Sequence, residues 1–417
     1  MYNRRNAIYI LIILSLLTGL FTGRAFFFNL GYMLIGIVLV SLLWAWMSVR
    51  WIGITRRTRS RRAQVGRIFD ETFIVRNRAW LPKLWLEVRD ESNLPGHRVS
   101  YVVPAMGLRS QHVWTVSTRC TARGEFRLGP MTLSSGDPFG LFNSERHLNA
   151  SSRLIVYPRI LRLSHVDLPI GMLSGGEAQR RRSHYVTTNA AGVRDYVPGD
   201  SFNRIHWRTS ARKDRLIVKE FEIDPLVDIW LFADFSQGSL IEDPAVKRID
   251  GVGPVLSNTS DIPPSTEEYV AVVAASLARY FIGLERALGF AAYTPNREIH
   301  QPERGNRQLT RILESLAVAR SLSSYSLEQM LTLETPYFTR GTTLVIVTAS
   351  LDLAWVREAQ ILMRRGIRPV CVLVDAASID DQHNTDELKG VLSMSRIPVI
   401  VVRHGENIAA ALARRPF

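Results

Sequence analysis

Two long uncharged runs near the amino terminus constrain this chain more than any other feature. Residues 7–23 form a run of 17 without a charge, and residues 25–49 form a run of 25. A helix needs about 20 apolar residues to cross the hydrocarbon core of a bilayer, so the second run is ample and the first is marginal. A secretory signal peptide explains the first run but leaves the second as a lone anchor, whereas a hairpin explains both. We therefore predict a two-helix transmembrane hairpin with spans over residues 7–23 and 27–49.

The positive charge of the chain is concentrated beside these runs. The formal net charge is +14, yet residues 1–67 contain ten arginines and no acidic residue, so the rest of the chain carries only about +4. Positive residues stay on the cytoplasmic side of a membrane. Arg4 and Arg5 before the first run, and seven arginines in residues 50–67 after the second, therefore predict that both termini and the soluble domains are cytoplasmic. The same distribution argues against nucleic acid as a partner, and it predicts contacts between residues 50–67 and anionic lipid headgroups.

Only two cysteines occur, Cys120 and Cys371, and they fall in different predicted strands. Their separation offers neither a disulfide framework nor a metal-binding pair. Two buried thiols agree with a reducing compartment, and hence with the cytoplasmic side.

The region from about Phe69 to Ile160 alternates with a period of two. Leu84, Leu86 and Val88 point one way while their neighbours point the other, and turn residues interrupt the series at short intervals. This pattern predicts an antiparallel β-sandwich-like domain over residues 68–164. In the turn "GDPFGLF", we expect Phe139 and Phe142 to anchor the chain onto that core.

The pattern changes in the second half of the chain. Five short apolar runs, "LVDIWLFAD", "LGFAAY", "TLVIVT", "PVCVLVD" and "IPVIVV", alternate with helix-length segments over residues 266–286, 308–319, 353–365 and 406–414. Alternating strands and helices predict a parallel sheet covered on both faces, here a carboxyl-terminal α/β domain of Rossmann-like type over residues 227–417. Residues 240–265 are expected to form a loop at the carboxyl edge of the first strand. Residues 165–226 are expected to form a linker, over residues 165–191, followed by a distinct segment that begins at residue 192. The chain is thus predicted to be a multidomain α+β protein, with residues 1–67 as the hairpin and a basic juxtamembrane segment.

No familiar catalytic motif is present. The sequence contains no G-x-x-x-x-G-K, no H-E-x-x-H and no G-x-S-x-G, and its nine histidines show no metal-ligand spacing. We therefore predict a protein that is not an enzyme.

The end of the first parallel strand, "FADFSQGS", carries the candidate ligand site. Asp234 and Ser236 fall just past the carboxyl end of a strand, where open α/β sheets bind ligands. The loop resembles the D-x-S-x-S loop with which von Willebrand factor A domains bind a divalent cation, although Gly238 stands at the second serine position and Ser239 is displaced by one. The resemblance implies a Mg²⁺ site, for which oxygen ligands are suited, and its ligands are Asp234, Ser236, Ser239, Thr348 and Asp352. The alternative is that Asp234 and Ser236 only cap the following turn.

The segment "GVRDYVPGDSFNRIHWRTSARKDRLIVKEFE" over residues 192–222 combines turn, aromatic and basic residues. Asp200 or Ser201 is expected to begin a short helix that runs through Ala211, with Trp207 buried. Arginines in this segment lie four positions apart, so they share one face of the helix. Like charges on one face repel each other, and nearby acidic residues are needed to offset that repulsion. Three interpretations remain open: a structural buckle with internally paired charges, a surface for an acidic partner protein, and catalysis by His206 with Asp195 or Asp200.

This segment resembles the signature of the bacterial domain of unknown function 58 family. "RGEFRLGPMTLSSGDPFGLF" and "LIVYPRI" resemble the β-rich region that precedes the signature in that family. The positions that carry the signature are Arg194, Asp195, Tyr196, Pro198, Gly199, Asp200, Arg204, His206, Trp207, Ala211, Arg212, Lys219 and Glu220.

The resemblance implies a von Willebrand factor A-like carboxyl-terminal domain and a membrane-anchored adaptor or scaffold. Such an adaptor would act through protein contacts with a MoxR-type AAA+ ATPase in assembly, maturation or envelope stress tolerance. A transglutaminase-like membrane protein is a further expected partner. The alternative from another class is a membrane-associated hydrolase or transferase that acts on envelope precursors.

Overall fold

The computed structural model describes residues 2–167, 190–197, 202, 205–221, 228–249, 252–256, 262–294 and 296–416. The chain divides into two compact units. The first unit comprises residues 1–160, 243–272 and 313–319, and the second comprises residues 161–242, 273–312 and 320–417. Each unit is described by itself.

The first unit begins with two helices, α1 (Tyr2–Thr22) and α2 (Ala25–Ser48). They pack against each other, and the Ser15 hydroxyl donates a hydrogen bond of 2.7 Å to the Phe27 carbonyl oxygen. Gly23, with a φ of 64°, forms the turn between them. Both predicted spans are therefore helical, and both helices are long and apolar enough to cross a membrane by length and composition.

Ten strands follow in the first part of the chain. They are β1 (Ile52–Thr58), β2 (Arg62–Gln64), β3 (Ile68–Asn77), β4 (Leu86–Asp90), β5 (Tyr101–Val103), β6 (Gln111–Arg119), β7 (Gly124–Leu128), β8 (Met131–Gly136), β9 (Asn143–Leu148) and β10 (Ser152–Tyr157).

These strands form three small sheets with the orders β1-β3-β6, β5-β4-β8-β9 and β2-β10-β7. All pairs are antiparallel except β2 with β10. Phe73 and Val75 of β3 share one buried cluster with Leu86 of β4 and Leu133 of β8, so the first two sheets enclose a common core. Alternate apolar residues create this core, as the period-two pattern predicts.

The turn after β8 corrects one expectation. The Asp137 carboxylate accepts hydrogen bonds from the backbone N–H groups of Phe139, Leu141 and Phe142. Leu141 is buried, whereas Phe139 is exposed. The carboxylate and Leu141 therefore hold this turn, and Phe139 does not anchor it.

The basic segment over residues 50–67 also differs from its expected form. It contains the strands β1 and β2, so the β-rich region begins before residue 68. Arg56 lies in β1, and its buried side chain pairs with Asp90 and lies 3.6 Å from the Glu71 carboxylate. A guanidinium enclosed by two carboxylates cannot contact lipid, so Arg56 is excluded from the expected headgroup contacts.

From residue 190 onward the strands are β11 (Ala190–Asp195), β12 (Ile217–Phe221), β13 (Ile229–Ala233), β14 (Arg248–Ile249), β15 (Gly253–Pro254), β16 (Leu288–Tyr293), β17 (Arg297–Glu303), β18 (Thr343–Thr348), β19 (Arg368–Val374) and β20 (Val399–Val402). The helices are α3 (Trp207–Lys213), α4 (Thr266–Gly283), α5 (Asn306–Val318), α6 (Leu327–Glu334), α7 (Ala354–Arg364), α8 (Asp386–Met394) and α9 (Ile408–Leu412).

The second unit is built on a six-stranded sheet with the order β17-β16-β13-β18-β19-β20. All five predicted apolar runs are strands of this sheet and run parallel, whereas β17 pairs antiparallel with β16 at the edge. Every residue of β13, β16 and β18 is buried, which is the pattern of a sheet covered on both faces. Trp230 and Phe232 of β13 pack with Leu331 of α6 and Trp355 of α7 on one of these faces.

Part of the segment over residues 240–265 belongs to the first unit and is more than a loop. β14 and β15 form a short hairpin, and Val252 joins the buried cluster of Phe126 and Leu154. The backbone N–H of Leu256 donates a hydrogen bond of 2.8 Å to the Thr121 carbonyl oxygen.

Candidate functional site

The strand order places a switch point between β13 and β18. The chain leaves β13 toward β16 on one side, and β18 continues toward β19 on the other. Ligands of open α/β sheets bind outside the carboxyl ends of strands at such a point, because the connections diverge there and leave a crevice. Asp234 follows the last residue of β13, and Thr348 is the last residue of β18.

Asp234 is the centre of a buried hydrogen-bonded cluster. Its Oδ1 accepts a hydrogen bond of 2.9 Å from the Ser236 backbone N–H, and its Oδ2 accepts one of 2.6 Å from the Thr348 hydroxyl. Gln237–Ser239 form a single 3-10 turn, which brings the Ser239 hydroxyl back to within 2.9 Å of the Ser236 carbonyl oxygen, to which it donates. The one-residue displacement of Ser239 in the sequence is thus compensated by local structure.

Burial raises the pKa of the Asp234 carboxyl, whereas hydrogen bonds from Thr348, Ser236 and Ser239 act in the opposite direction. Only 1% of the Asp234 surface is exposed. A buried acid with a raised pKa at the crevice of an α/β sheet is a candidate for function.

The structure brings four of the five predicted metal ligands together and leaves the fifth apart. Asp234, Ser236, Ser239 and Thr348 are buried in one cluster, whereas Asp352 is exposed and its carboxylate accepts a hydrogen bond from the Ala354 backbone N–H. The part of the chain that the structure describes contains no group of three or more His, Cys, Asp or Glu side chains placed to hold a metal ion. The oxygen donors suit Mg²⁺ in type, but they supply one negative charge, so cation binding stays a prediction.

A cavity of about 430 Å³ lies beside this cluster, within the second unit. The segment that lines it, residues 322–325, joins the Asp234 loop: the Gln237 backbone N–H donates a hydrogen bond of 2.9 Å to the Ser323 carbonyl oxygen, and Ser236 forms an isolated parallel bridge with Ser323. The rim is apolar and aromatic, with exposed side chains at Leu322, Tyr325, Leu333 and Tyr337.

A buried carboxylate holds one wall of this cavity in place. Glu334, at the end of α6, accepts hydrogen bonds of 2.8 and 2.9 Å from the Arg297 guanidinium and another from the Tyr293 hydroxyl. Burial, followed by the hydrogen bond to Glu334, raises the pKa of Tyr293. Arg297 also lies 5.4 Å over the ring of Tyr337. The rim is therefore supported by a fixed network and is preorganised for contact.

A second acid, Asp375, directly follows the neighbouring strand β19. Its hydrogen-bond partners differ from those of Asp234. Thr385, Lys389 and Arg403 all direct hydrogen bonds at its carboxylate. Burial by itself would raise the pKa of Asp375, but these three partners outweigh burial and the pKa is lowered.

The signature segment forms a two-stranded antiparallel pair of β11 and β12, with α3 between them. The Asp195 carboxylate pairs with Arg215 at 3.0 Å, and the His206 ring Nδ1 accepts a hydrogen bond of 3.1 Å from the Thr209 backbone N–H. Asp195 and His206 each have a partner within the segment, whereas Asp200, the alternative acid, lies outside the described residues. Tyr196 is half-buried, with its ring 6.3 Å from that of Phe202.

Two expectations for this segment are wrong. The helix begins at Trp207 and is capped by His206, later in the chain than predicted; Asp200 and Ser201 lie outside the described residues. Trp207, the first residue of the helix, is 65% exposed and not buried. Ala211 and Arg212 are exposed as well. Pro198, Gly199, Asp200 and Arg204 lie outside the described residues, as do the side chains of Arg194, Lys219 and Glu220.

Several residues of the site were missed from the sequence. Asp375 could have been predicted from the sequence, because it directly follows a predicted strand, as Asp234 does. Tyr293 also ends a predicted strand, but Arg297 and Glu334 carried none, since their contacts join positions 37 residues apart.

The central part of the chain is similar to a known family. Residues 192–247 match the family model described as "Protein of unknown function DUF58". Over 246 residues the chain is 27% identical to "Uncharacterized protein YeaD" of Bacillus subtilis (strain 168). That match covers 56% of this chain and 62% of the relative, and so less than two thirds of the relative's length.

Solved structures with partial likeness include two proteins of Bacteroides. One is the "conserved hypothetical protein BatB" from Bacteroides thetaiotaomicron, at 14% identity over 45% of this chain and 95% of that chain, with a TM-score of 0.31. The other is an "aerotolerance-related membrane protein" from Bacteroides fragilis NCTC 9343, at 14% identity over 45% of this chain and 94% of that chain, with a TM-score of 0.29. The CARDB domain of the PF1109 protein from Pyrococcus furiosus matches 25% of this chain and 91% of that domain, at 15% identity and a TM-score of 0.19. Scores this low carry no argument about this chain.

The class of protein follows from these observations: a multidomain α/β chain with two apolar amino-terminal helices, several sheets and a doubly wound sheet. The family model and the Bacillus relative support its placement in the DUF58 family. The matched residues include Asp234, Ser236 and Ser239, whereas Thr348 and the residues that line the cavity lie outside the match.

Proposed function

We propose that this protein is a membrane-anchored adaptor that binds a protein partner at the carboxyl edge of its six-stranded sheet. The observation that carries the proposal is the cavity beside Asp234. Its rim exposes 57% of Leu322 and 50% of Tyr325, next to the fixed Arg297–Glu334 pair. Exposed aromatic and aliphatic side chains on a rigid support are typical of protein-binding surfaces.

The partner we propose is a MoxR-type AAA+ ATPase, with a transglutaminase-like membrane protein as a further member of the assembly. The process served would be assembly, maturation or envelope stress tolerance. This part of the proposal is supported by the resemblance of the signature segment to its family.

We propose that the second unit is a von Willebrand factor A-like domain. Supporting this is the sheet order, in which the first strand β13 lies centrally and the third, β17, runs antiparallel at the edge. A domain of this type binds partners at the carboxyl edge of the sheet, which is where Asp234 lies.

We further propose that the soluble part faces the cytoplasm and acts by binding, not by catalysis. The arginines that flank both helices support this side of the membrane. The buried free thiols agree with it, since burial raises the pKa of Cys120 to about 11 and that of Cys371 as well, which leaves both unreactive.

Co-purification from native membranes after crosslinking tests the adaptor role. The variant replaces Leu322→Ala and Tyr325→Ala together, and the control replaces Leu284→Ala. Leu284 is similarly exposed, but it precedes β16 and so lies at the opposite, amino edge of the sheet.

We expect the ATPase to be recovered with the wild type and with the control, and to fall by about tenfold with the rim variant, as the loss of a hot spot requires. Recovery of no ATPase with the wild type would count against the partner. Equal recovery with both variants would contradict partner binding at the carboxyl edge of the sheet.

A further inference from the structure

Two hydrogen bonds join the chain at the end of α2 to the loop that follows β3. The buried Lys83 ammonium donates a hydrogen bond of 2.6 Å to the Met47 carbonyl oxygen, next to the last residue of α2. The Arg78 backbone N–H donates one of 2.9 Å to the Trp51 carbonyl oxygen. The loop between β3 and β4 is therefore fastened to the point at which α2 ends.

A second loop, which leads into β6, meets this one through a single buried asparagine. The Asn77 amide donates hydrogen bonds of 2.9 Å to the carbonyl oxygens of Leu81 and Gly107, and the Asn77 backbone N–H donates to Ser110. Its side-chain oxygen accepts a hydrogen bond from the Ala79 backbone N–H. Both loops are thereby held in one arrangement.

The two loops enclose a cavity of about 400 Å³ with three arginines in its wall. The lining residues are Arg76, Asn77, Arg78, Arg109, Ser110 and Gln111. All three arginines are exposed, and no carboxylate of the described chain forms an ion pair with any of them. Such a cluster attracts an anion, because three like charges have no compensating acid.

Large apolar side chains lie close in sequence to the lining arginines on the same loops. Trp80 is 76% exposed and Leu108 is 59% exposed, while Trp51, three positions after the last residue of α2, is 50% exposed. The Arg109 guanidinium lies 4.8 Å over the Trp80 ring, which holds it beside the apolar group. Tryptophan with arginine at the end of an apolar helix is the composition of the interface between a bilayer and water.

We propose that Arg76, Arg78 and Arg109 form a binding site for the phosphate of an anionic phospholipid, at the membrane surface that α2 reaches. Guanidinium groups bind phosphate oxygens with paired N–H donors, and the neighbouring Trp80 and Leu108 lie among the acyl chains and headgroups. The proposed occupant is a lipid and not free phosphate, because free phosphate has no apolar part that could contact Trp80 and Leu108. The site rests on membrane insertion of α2 and is independent of the adaptor's partner.

Native mass spectrometry of the full chain in detergent tests the site, with phosphatidylglycerol and phosphatidylcholine as probes. The site variant carries Arg76→Gln, Arg78→Gln and Arg109→Gln. The control carries Arg98→Gln, Arg119→Gln and Arg127→Gln, three exposed arginines of the first unit outside residues 50–67 that remove the same charge. Thermal unfolding checks that each variant folds, and recovery in the membrane fraction checks insertion separately from lipid binding.

The wild type should retain phosphatidylglycerol in preference to phosphatidylcholine. We expect the site variant to lose at least about tenfold in retained phosphatidylglycerol, and the control to stay within about twofold of the wild type. If the triple variant does not fold, the single changes Arg78→Gln and Arg109→Gln should each lose about fivefold.

Equal loss in the site variant and the control would overturn the proposal, because charge alone would then explain binding. Undiminished binding in the site variant would overturn it as well. Displacement of the lipid by millimolar inorganic phosphate would identify a free-phosphate site in its place. A chain absent from the membrane fraction would remove both this site and the membrane-anchored function, whereas loss of the ATPase alone leaves the lipid site intact.

Discussion

Arg123 of the first unit and Asp234 of the second unit are buried charged residues with different partners. In the first unit, Arg123 is buried between two carboxylates, at 2.8 Å from Glu267 and 2.7 Å from Glu268, and it also donates to the Leu316 carbonyl oxygen. In the second unit, Asp234 is equally buried but takes its hydrogen bonds from hydroxyl groups and one backbone amide.

The difference separates a structural charge from a functional one. A buried ion pair with satisfied donors holds elements together, and Arg123 ties the turn before β7 to the first turn of α4. A buried carboxylate without a cation is costly, and proteins keep such groups mainly where they serve a site. The comparison favours a structural role for Arg123 and leaves Asp234 as a candidate for function.

The largest expected effect is that of Arg123→Met, which removes the buried guanidinium that contacts both Glu267 and Glu268, although Arg248 still lies 3.8 Å from Glu267. We expect the first unit to lose about 3–5 kcal/mol in its free energy of unfolding, as for a broken buried pair. Hydrogen exchange of peptides from β6 and β7 during a urea titration measures this loss. The exposed pair of Arg153 with Glu125 supplies the control, since Arg153→Met should cost at most about 1 kcal/mol.

Neutralising both partners sharpens that test. Adding Glu267→Gln and Glu268→Gln to Arg123→Met should recover much of the lost stability, because no uncompensated charge remains. A triple variant as unstable as the single one would show that packing, and not charge, accounts for the role of Arg123.

A smaller loss is expected for Asp234→Ala. This change leaves the Thr348 hydroxyl and the Ser236 N–H without their acceptor, so the second unit should lose about 1–3 kcal/mol in its free energy of unfolding. Asp352→Ala, which removes an exposed cap, should cost within about 1 kcal/mol. Urea unfolding followed by exchange in β13 and β18 compares the two variants, and equal costs would contradict a buried cluster centred on Asp234.

The pH dependence of stability should have opposite signs at Asp234 and Asp375. The pKa of Asp234 is raised above 3.8, so its contribution is full below pH 3.8 and is lost as the pH rises through the folded pKa. The pKa of Asp375 is lowered, so its contribution is present above pH 3.8 and is lost as the pH falls through the folded pKa.

Asparagine variants measured in urea from about pH 3 to about pH 8 test these signs. Relative to the wild type, Asp234→Asn should become less costly as the pH rises, and Asp375→Asn should become more costly. The same slope for both variants would contradict the contrast between a lone carboxylate and a paired one.

The smallest expected effect is that of a divalent cation. If Mg²⁺ binds at Asp234, a concentration equal to its dissociation constant stabilises the second unit by only about 0.4 kcal/mol. Titrations of Mg²⁺ and Mn²⁺ should raise the unfolding midpoint of the wild type and leave Asp234→Ala unchanged. If neither the wild type nor Asp234→Ala shows a change in its unfolding midpoint, the prediction of a metal site is wrong and Asp234 is a hydrogen-bonded acid without a cation.

The strands and helices that were predictable from the sequence are those with continuous or periodic apolar residues. β13, β16, β18, β19 and β20 were visible because nearly all their residues are buried and apolar. β17 was not, since its sequence "REIHQPE" belongs to an exposed edge strand and shows no apolar run. Helices α6 and α8 were missed, although the shorter helix α9 was predicted within residues 406–414.

Long-range charge pairs account for the remaining errors. Arg56 looked solvated within an arginine run, but its partner Asp90 lies 34 positions away and converts it into a buried residue. Asp234 was predictable because strand ends mark ligand sites, a rule that needs only local sequence. The wall formed by Arg297 and Glu334 depends on three-dimensional proximity, for which one sequence gives no signal.

The claim that the carboxyl edge of the second unit binds a partner can be tested by photocrosslinking in native membranes. A photoreactive residue would replace Leu322 in one variant and Leu284 in another, at opposite edges of the same sheet. We expect a discrete crosslinked product containing an AAA+ ATPase from position 322 and none from position 284. The same products from both positions, or none from position 322, would contradict the account.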